Sequence, residues 1–357
     1  MTVRGEAIQI ARCELLGCEL AQDLSQAFLK SESINIEFGL NWLRHLATTT
    51  LANDEVAFLY TAKSNSGDFI VLPLRVNQKS RQAHSLSNFY TSLYSPVVQS
   101  SSPLNLLTAL FQHLQRSQLI SAITLSPLAA DEALFDDIQR ALQQANWRGV
   151  HSWSCFWNWT HTVSDGGYAA YLSARPSILR NTIARKTRKF FNSQNGSIEL
   201  ICDNSSIARG IDQFKWVYDR SWKQAEPFPE FIPGLLKLAA DNNYLRLAVA
   251  YRNDKAIAAQ LWLVHNGTAS IFKLAYDENF KHLSVGTILS AFLMEQVIDK
   301  DRVRTIDYLS GDDRYKEQWM TSRRERRGIA AYNTSSVRGL AGYLARLAKQ
   351  LIKNIIP

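Results

Sequence analysis

The chain has 357 residues, 46% of them apolar and 20% charged, and carries a net charge of +8. That length allows two domains with real cores, and the composition excludes a disordered chain, because no long Pro/Gly/Ser tract interrupts it. The positive balance favours an anionic partner, whether phosphate, nucleotide, nucleic acid or membrane surface, without choosing among them.

The opening stretch, MTVRGEAIQIARCELLGCEL, sets Glu6 and Glu14 among its apolar residues and lacks the charged-then-apolar order of an export signal. No run reaches the length of a membrane span. Cys13, Cys18, Cys155 and Cys202 show no CxxC or Cys/His ligand spacing. They are expected as reduced thiols in a cytoplasmic protein, with neither a zinc site nor a disulfide.

Periodicity then predicts a helix over 34–49, strands at 56–61 and 69–75 around the turn SNSGD, and a helix over 104–116. The strand AITLSP, a helix over 131–144 and the strand HSWSCFWNWT follow. Next comes SDGGYAAYLSARPSILRNTIARKTRKFFNSQNGS, a helical bridge with Pro176 near its start and Gly196 at its end. Leu179, Ile183, Thr187 and Phe190 or Phe191 share one face. Arg180, Arg185, Lys186, Arg188 and Lys189 surround it, with no acid between Asp165 and Glu199. This basic face reads as a solvated surface, a clamp for a nucleotide-linked or lipid-linked acceptor, or a nucleic-acid contact. Base stacking would need aromatics interleaved with the charges, so nucleic acid is not expected as a partner, tRNA excepted.

In the C-terminal half, residues 207–223 and 231–242 read as helices, and 245–252, 256–265 and 270–276 as an antiparallel meander with NG as a tight turn. After DENFKHLSV, Gly286 opens a helix reaching about Asp299 with Leu289, Leu293 and Val297 on one face. The strand RTIDYLS, a short helix over 312–321 and a last strand, GIAAYN, close the unit. The N-terminal half repeats this order loosely, which implies a duplication. Its loop YSPVVQSSSPLN has no glycine where the second copy has Gly286.

In HLSVGTIL, Ser284, Val285 and Gly286 lie just before a helix, where backbone N–H groups and the positive end of the dipole can hold a pyrophosphate. The plain alternative is a loop with Ser284 as helix cap. Further on, DYLSGDDRYKEQW packs acids, a tyrosine, a lysine and a tryptophan behind a strand.

A basic helix, Ser221-Trp222-Lys223, Ala275-Tyr276-Asp277, Ser284-Val285-Gly286 and Asp307 through Trp319, in that order, resemble the GNAT acyltransferase superfamily. The resemblance is to the CelD-like domain in particular, which is related to the Fem-type aminoacyltransferases of peptidoglycan synthesis, and it covers most of the chain. It implies an α/β (α+β) fold of two tandem GNAT-like domains, each a mixed, mostly antiparallel sheet flanked by helices. Residues 1–165 would be a degenerate copy, 166–334 the copy with the acyl-donor site, and 335–357 a basic amphipathic helix.

The resemblance implies acetyl-CoA or another acyl-CoA as donor and no metal, with Lys273, Leu274, Ala275, Tyr276, Ser284, Val285, Gly286 and Thr287 holding the donor. Acyl transfer needs a base for the ammonium proton and stabilisation of the oxyanion and leaving thiolate. Asp307 is the candidate base, Tyr315 the acid, and Lys316 the ligand of a phosphate or the oxyanion. Arg180, Lys186, Trp222, Lys223 and Asp277 are candidates for the acceptor side, with Asp277 also an alternative base or a loop cap. Asp312 reads as a helix cap and Trp319 as packing. The single glycine within Lys281 to Thr287 departs from the wider superfamily's phosphate loop, and leaves acetyl-CoA, a longer acyl-CoA and aminoacyl-tRNA open as donors.

Finally, VRGLAGYLARLAKQLIKNIIP puts Leu340, Leu344, Leu347, Leu351 and Ile355 on one helical face and Arg338, Arg346, Lys349 and Lys353 on the other, without an acid. That pattern fits either an interfacial helix or one packed on its own domain or on a partner chain. The leading expectation is a cytoplasmic N-acyltransferase, peripheral at the inner face of the membrane, acting on an amine of a sugar or amino-acid-bearing envelope or polysaccharide precursor. The alternatives are a Fem-like transferase using aminoacyl-tRNA and a non-catalytic scaffold in polysaccharide synthesis.

Overall fold

The computed structural model describes residues 7–193 and 195–355, with side chains as far as Ile352. Glu6 of the signal reading and Lys353 and Ile355 of the amphipathic pattern lie outside the described residues or side chains. In chain order the elements are β1 (Ile8–Glu14), α1 (Gln22–Ile34), α2 (Leu40–Thr50), β2 (Glu55–Ser64), β3 (Phe69–Asn77), β4 (Gln82–Ser85), β5 (Val97–Gln99), α3 (Leu104–Arg116), β6 (Ala122–Ala129) and α4 (Ala133–Gln144). β7 (Arg148–Thr162), α5 (Gly167–Ser173), α6 (Ser177–Ser193), β8 (Gly196–Ile201), α7 (Ile207–Tyr218), α8 (Phe231–Asp241), β9 (Leu245–Arg252), β10 (Lys255–His265) and β11 (Thr268–Tyr276) follow. The last are α9 (Val285–Glu295), β12 (Thr305–Ser310), β13 (Ser322–Tyr332) and α10 (Val337–Ile355).

These form two compact units, Met1–Phe156 with Arg324–Pro357, and Trp157–Arg323. In the first, the strands run β1-β2-β3-β4-β6-β13-β7, antiparallel from β1 to β4 and again between β6 and β13, with β4 and β6 parallel. The leucine-rich face of α3 (Leu107, Leu110, Leu114) and Ile138 and Leu142 of α4 bury against Ile70, Leu72 and Leu74. Their i, i+3, i+4 spacing gives one apolar stripe per helix, and burying it drives the packing.

In the second unit the order is β7-β12-β11-β10-β9-β8. β9, β10 and β11 are the predicted meander. Asn266 and Gly267, at φ +43° and +77°, make the two-residue turn between β10 and β11, a conformation that asparagine and glycine tolerate best. Leu179, Ile183 and Phe190 of α6 share a core with Trp262, Ile271, Ile306 and the apolar residues Ile288, Leu289, Leu293 and Val297. A π-helical turn (Gln296–Lys300) extends α9.

Several expectations need correction. The closing strand GIAAYN lies in β13, most of which belongs to the first unit. The helix expected over 207–223 stops at Tyr218, because Arg220 and Ser221 donate to carbonyls three residues back and tighten its last turn. The helix expected over 312–321 is a 3-10 turn, Arg314–Gln318. Cys13 and Cys18 are paired in a disulfide rather than reduced, since the turn after β1 brings their Cα atoms to 5.9 Å. Cys155 and Cys202 are free. No helix among the described residues is long and apolar enough to cross a membrane.

One buried amide ties the meander to α9. Gln260 Nε2 donates to Gly286 O and Ser290 Oγ, both at 2.9 Å, and Gln260 Oε1 accepts from Trp262 Nε1 at 3.0 Å. Removing the amide leaves these buried groups without their partner. Gln260→Leu is expected to lower stability by about 2–4 kcal/mol, read from the urea unfolding midpoint by tryptophan fluorescence.

Candidate active site

β11 and β12 run parallel for only three residue pairs, Thr268 with Thr305, Ala269 with Ile306 and Ser270 with Asp307. Beyond them β11 stays paired to β10 through Tyr276, whereas β12 no longer follows it. β12 holds to β7 on its other side, with a register shift between Asp307 and Ser310. The sheet therefore opens along Lys273, Leu274, Ala275 and Tyr276.

The opening is held by a small set of polar contacts. Leu309 sits at φ +52°, a conformation that costs a branched side chain on the order of 1–3 kcal/mol. Asp307 Oδ1 accepts from Leu309 N at 2.7 Å and from Asn158 Nδ2 at 2.6 Å, and the same Asn158 amide donates to Leu309 O at 2.9 Å. Asp307 is buried, so these contacts form in a low dielectric, where each hydrogen bond is stronger than in water. Lys316 secures the following turn. Its Nζ reaches Ser310 O at 2.5 Å, Gly311 O at 3.2 Å and Asp313 Oδ2 at 3.6 Å. Burial lowers the Lys316 pKa, against the pull of Asp313. Two of the three predicted catalytic residues are thus committed to holding the backbone where the strands part.

Tyr315 differs, being 43% exposed, with its ring edge-on to buried Tyr308 at 5.7 Å. Partial burial and the Asp313 charge push its phenol up to about 12. Trp319 is buried, as expected for packing. Asp312, predicted as a cap, instead accepts from Trp159 Nε1 at 2.7 Å and pairs with Arg323 at 3.0 Å.

At the start of α9, Ser284 adopts φ +59° and its carbonyl accepts from Thr287 N and Ile288 N. Val285 and Gly286 supply the first N–H groups of the helix, which have no partner within it. A Cβ on Gly286 would meet only the Tyr276 ring, at 3.5 Å, so the free protein does not need glycine there. Lys186 donates to His282 O at 2.7 Å, which sets the basic face of α6 beside this turn. Arg180 is exposed on the same helix. Asp277 is the loop cap: its Oδ1 accepts from Asn279 N and Nδ2, both at 3.0 Å.

On the far side of the opening, Trp222 lies against Tyr276 with ring centroids 4.5 Å apart. Lys223 Nζ sits 5.9 Å from the Tyr218 ring and 5.7 Å from that of Trp222. Burial, then Lys273, pushes the Lys223 pKa down to about 8, with Glu226 and Asp313 opposing and Lys316 adding to the fall. Lys273 pairs with Glu226 at 2.7 Å. The structure thus brings Lys223, Lys273, Trp222 and Tyr276 together beside the Lys316 turn. Sequence reasoning missed Asn158 and Glu226, since neither stands in a recognisable motif. No cluster of three His, Cys, Asp or Glu among the described residues could hold a metal ion.

Residues 177–317 match the family described as Acetyltransferase (GNAT) domain. No curated protein matches the chain. Among solved structures, FemX is similar at 10% identity with a TM-score of 0.60, over 89% of this chain and 98% of that one. L-PGS from Bacillus licheniformis is similar at 13% identity and a TM-score of 0.51, over 94% and 99%. The tandem GNAT protein from the clavulanic acid biosynthesis pathway matches at 10% identity and a TM-score of 0.53, over 91% and 98%. At these identities the likeness shows the fold alone.

Because an added methyl at Gly286 fits the free protein, Gly286→Ala is expected to keep the fold and gain up to about 1 kcal/mol of helix stability. If a pyrophosphate approaches that backbone, the same change weakens donor binding at least about tenfold, measured by calorimetric titration.

Proposed function

We propose that this chain, an acyltransferase whose residues 177–317 form a GNAT domain, uses an acyl-CoA, acetyl-CoA in the simplest case, to acylate an amine. The acceptor class we propose is a sugar or amino-acid-bearing precursor of an envelope or polysaccharide, free or linked to a nucleotide or lipid. The observation that carries the reading is the parting of β11 from β12 next to the start of α9. A strand edge there can pair with the amides of a pantetheine arm while the N–H groups of Val285 and Gly286 face its pyrophosphate.

In the reaction the acceptor nitrogen forms the N–C bond, the C–S bond breaks, and the sulfur leaves as a thiolate. The proton lost by the nitrogen needs a base that is partly neutral near pH 7–8. Lys223, at about 8, meets that condition and stands at the acceptor side of the opening. Asp307 and Lys316 act by fixing the backbone on which Tyr315 stands. Tyr315, at about 12, keeps its proton at neutral pH, and full transfer to a thiolate of ordinary pKa near ~8.5 would be uphill by about 5 kcal/mol. It therefore serves as a hydrogen-bond donor to the departing sulfur, and the thiolate takes its proton from water. Arg180 and Lys186 supply positive charge for a phosphate of the acceptor.

A second reading, aminoacyl transfer from tRNA, is favoured by one observation: the basic face of α6 lies against the turn that leads into α9. Titration separates the two. The acyl-CoA reading expects acetyl-CoA or a longer acyl-CoA to raise the unfolding midpoint with concentration, as a native-state ligand must. Stabilisation by charged tRNA alone, with none by any CoA ester, selects the other reading.

Lys223 gives a pH test whose sign follows from linkage. A lysine pKa lowered on folding means that the unfolded chain binds more protons between about pH 8 and 10.4, so stability rises with pH there. Lys223→Met is expected to be the more stable protein at pH 7, with the difference closing as pH rises through that window in urea melts. In the same variant kcat/KM is expected to fall about 100-fold at pH 7.5 and to lose the rise that the parent shows through pH 8.

A further inference from the structure

α10 packs on its own unit by its small residues and leaves its leucines outside. A Cβ on Gly339 would lie 2.0 Å from Asn333 O, and one on Gly342 would lie 3.2 Å from the Tyr332 ring. Tyr343 stands against Tyr332 at 6.2 Å and above Gly149, and Arg346 is close enough to His151 to help lower its pKa. Residues 339, 342, 343 and 346 therefore form the inner face. Arg338 anchors the first turn, its guanidinium donating to Lys79 O at 2.5 Å.

The opposite face is apolar and open. Leu340, Leu344, Leu351 and Ile352 are 42%, 55%, 62% and 56% exposed, and Val337 is 87% exposed. At about 100° per residue, Leu347, Leu340, Leu351, Leu344, Val337 and Ile352 span one continuous arc. Arg338 and Lys349 follow at its edge, and no acid occurs after Glu325. A helix that only needed to pack on its own unit would bury this stripe. The inversion leaves an apolar strip bordered by positive charge alone, which is complementary to a surface with an anionic outer layer and an apolar interior.

We propose that α10 lies flat on an anionic lipid bilayer, with Leu340, Leu344, Leu347 and Leu351 inserted among the acyl chains and Lys349 at the headgroups. The inference is independent of the acyltransferase reading. It is tested by co-sedimenting the full chain with vesicles of phosphatidylcholine, with and without phosphatidylglycerol, at low and high salt. The expected result is binding to the phosphatidylglycerol vesicles that weakens at least tenfold at high salt. The L344E/L351E variant, altered only at exposed positions, is expected to lose at least tenfold in binding while keeping the parent's unfolding midpoint. Equal binding by that variant, or equal binding to vesicles of phosphatidylcholine alone, overturns the proposal. So does self-association of the parent that L344E/L351E abolishes, which would assign the strip to a second copy of the chain.

Discussion

The candidate site depends on one buried carboxylate. Asp307 Oδ1 holds Leu309 N in a left-handed turn, and Asn158, 149 residues earlier in the chain, grips both that oxygen and the Leu309 carbonyl. A strand that obeyed only its hydrogen-bond ladder would keep following β11. The turn at Leu309 breaks the ladder, and the contacts at Asp307 offset its cost of about 1–3 kcal/mol. Everything proposed for the site follows from that break. It frees the edge of β11 that is proposed for the donor, in the same unit as Tyr315 and Lys223.

Two further polar features tie the opening to its surroundings. Gln260 links β10, one strand away, to the carbonyl of Gly286, which ties the meander to the first turn of α9. Lys316 neutralises the turn by donating to carbonyls rather than by facing solvent. Around these fixed points the titratable charge is Lys223, whose ammonium is disfavoured by burial first and then by its neighbours Lys273 and Lys316. Lys223 thus stands beside an opened strand edge, whereas Lys316 is held by the carbonyls of Tyr308, Ser310 and Gly311.

Much of this was legible in the sequence, for identifiable reasons. The meander showed because its strands run apolar between the turns at Asn253-Asp254 and Asn266-Gly267, and α3 and α9 because their leucines recur at helical spacing. The order of motifs ending in Asp307 to Trp319 pointed to the stretch where the candidate site is drawn, but not to the contacts inside it. Asp307 and Lys316 are catalytic residue types, yet their partners are a distant asparagine and backbone carbonyls, which no local pattern reveals. β8 escaped notice because GSIELI is a short strand at the end of the sheet order, next to a basic helix. The closing strand was assigned to the other unit because sequence order does not say which strands it pairs with, here β6 and β7. The pairing of Cys13 with Cys18 rests on a turn geometry that residue spacing alone does not fix.

The central claim is that the gap between β11 and β12, with the start of α9, receives an acyl-CoA. Hydrogen exchange read by mass spectrometry, with and without acetyl-CoA, tests it most directly. The account predicts slowed exchange confined to residues 272–276 and 284–288, where strand-edge and helix-end amides would gain partners. Protection of neither segment at saturating acetyl-CoA, or protection only elsewhere in the chain, would contradict it.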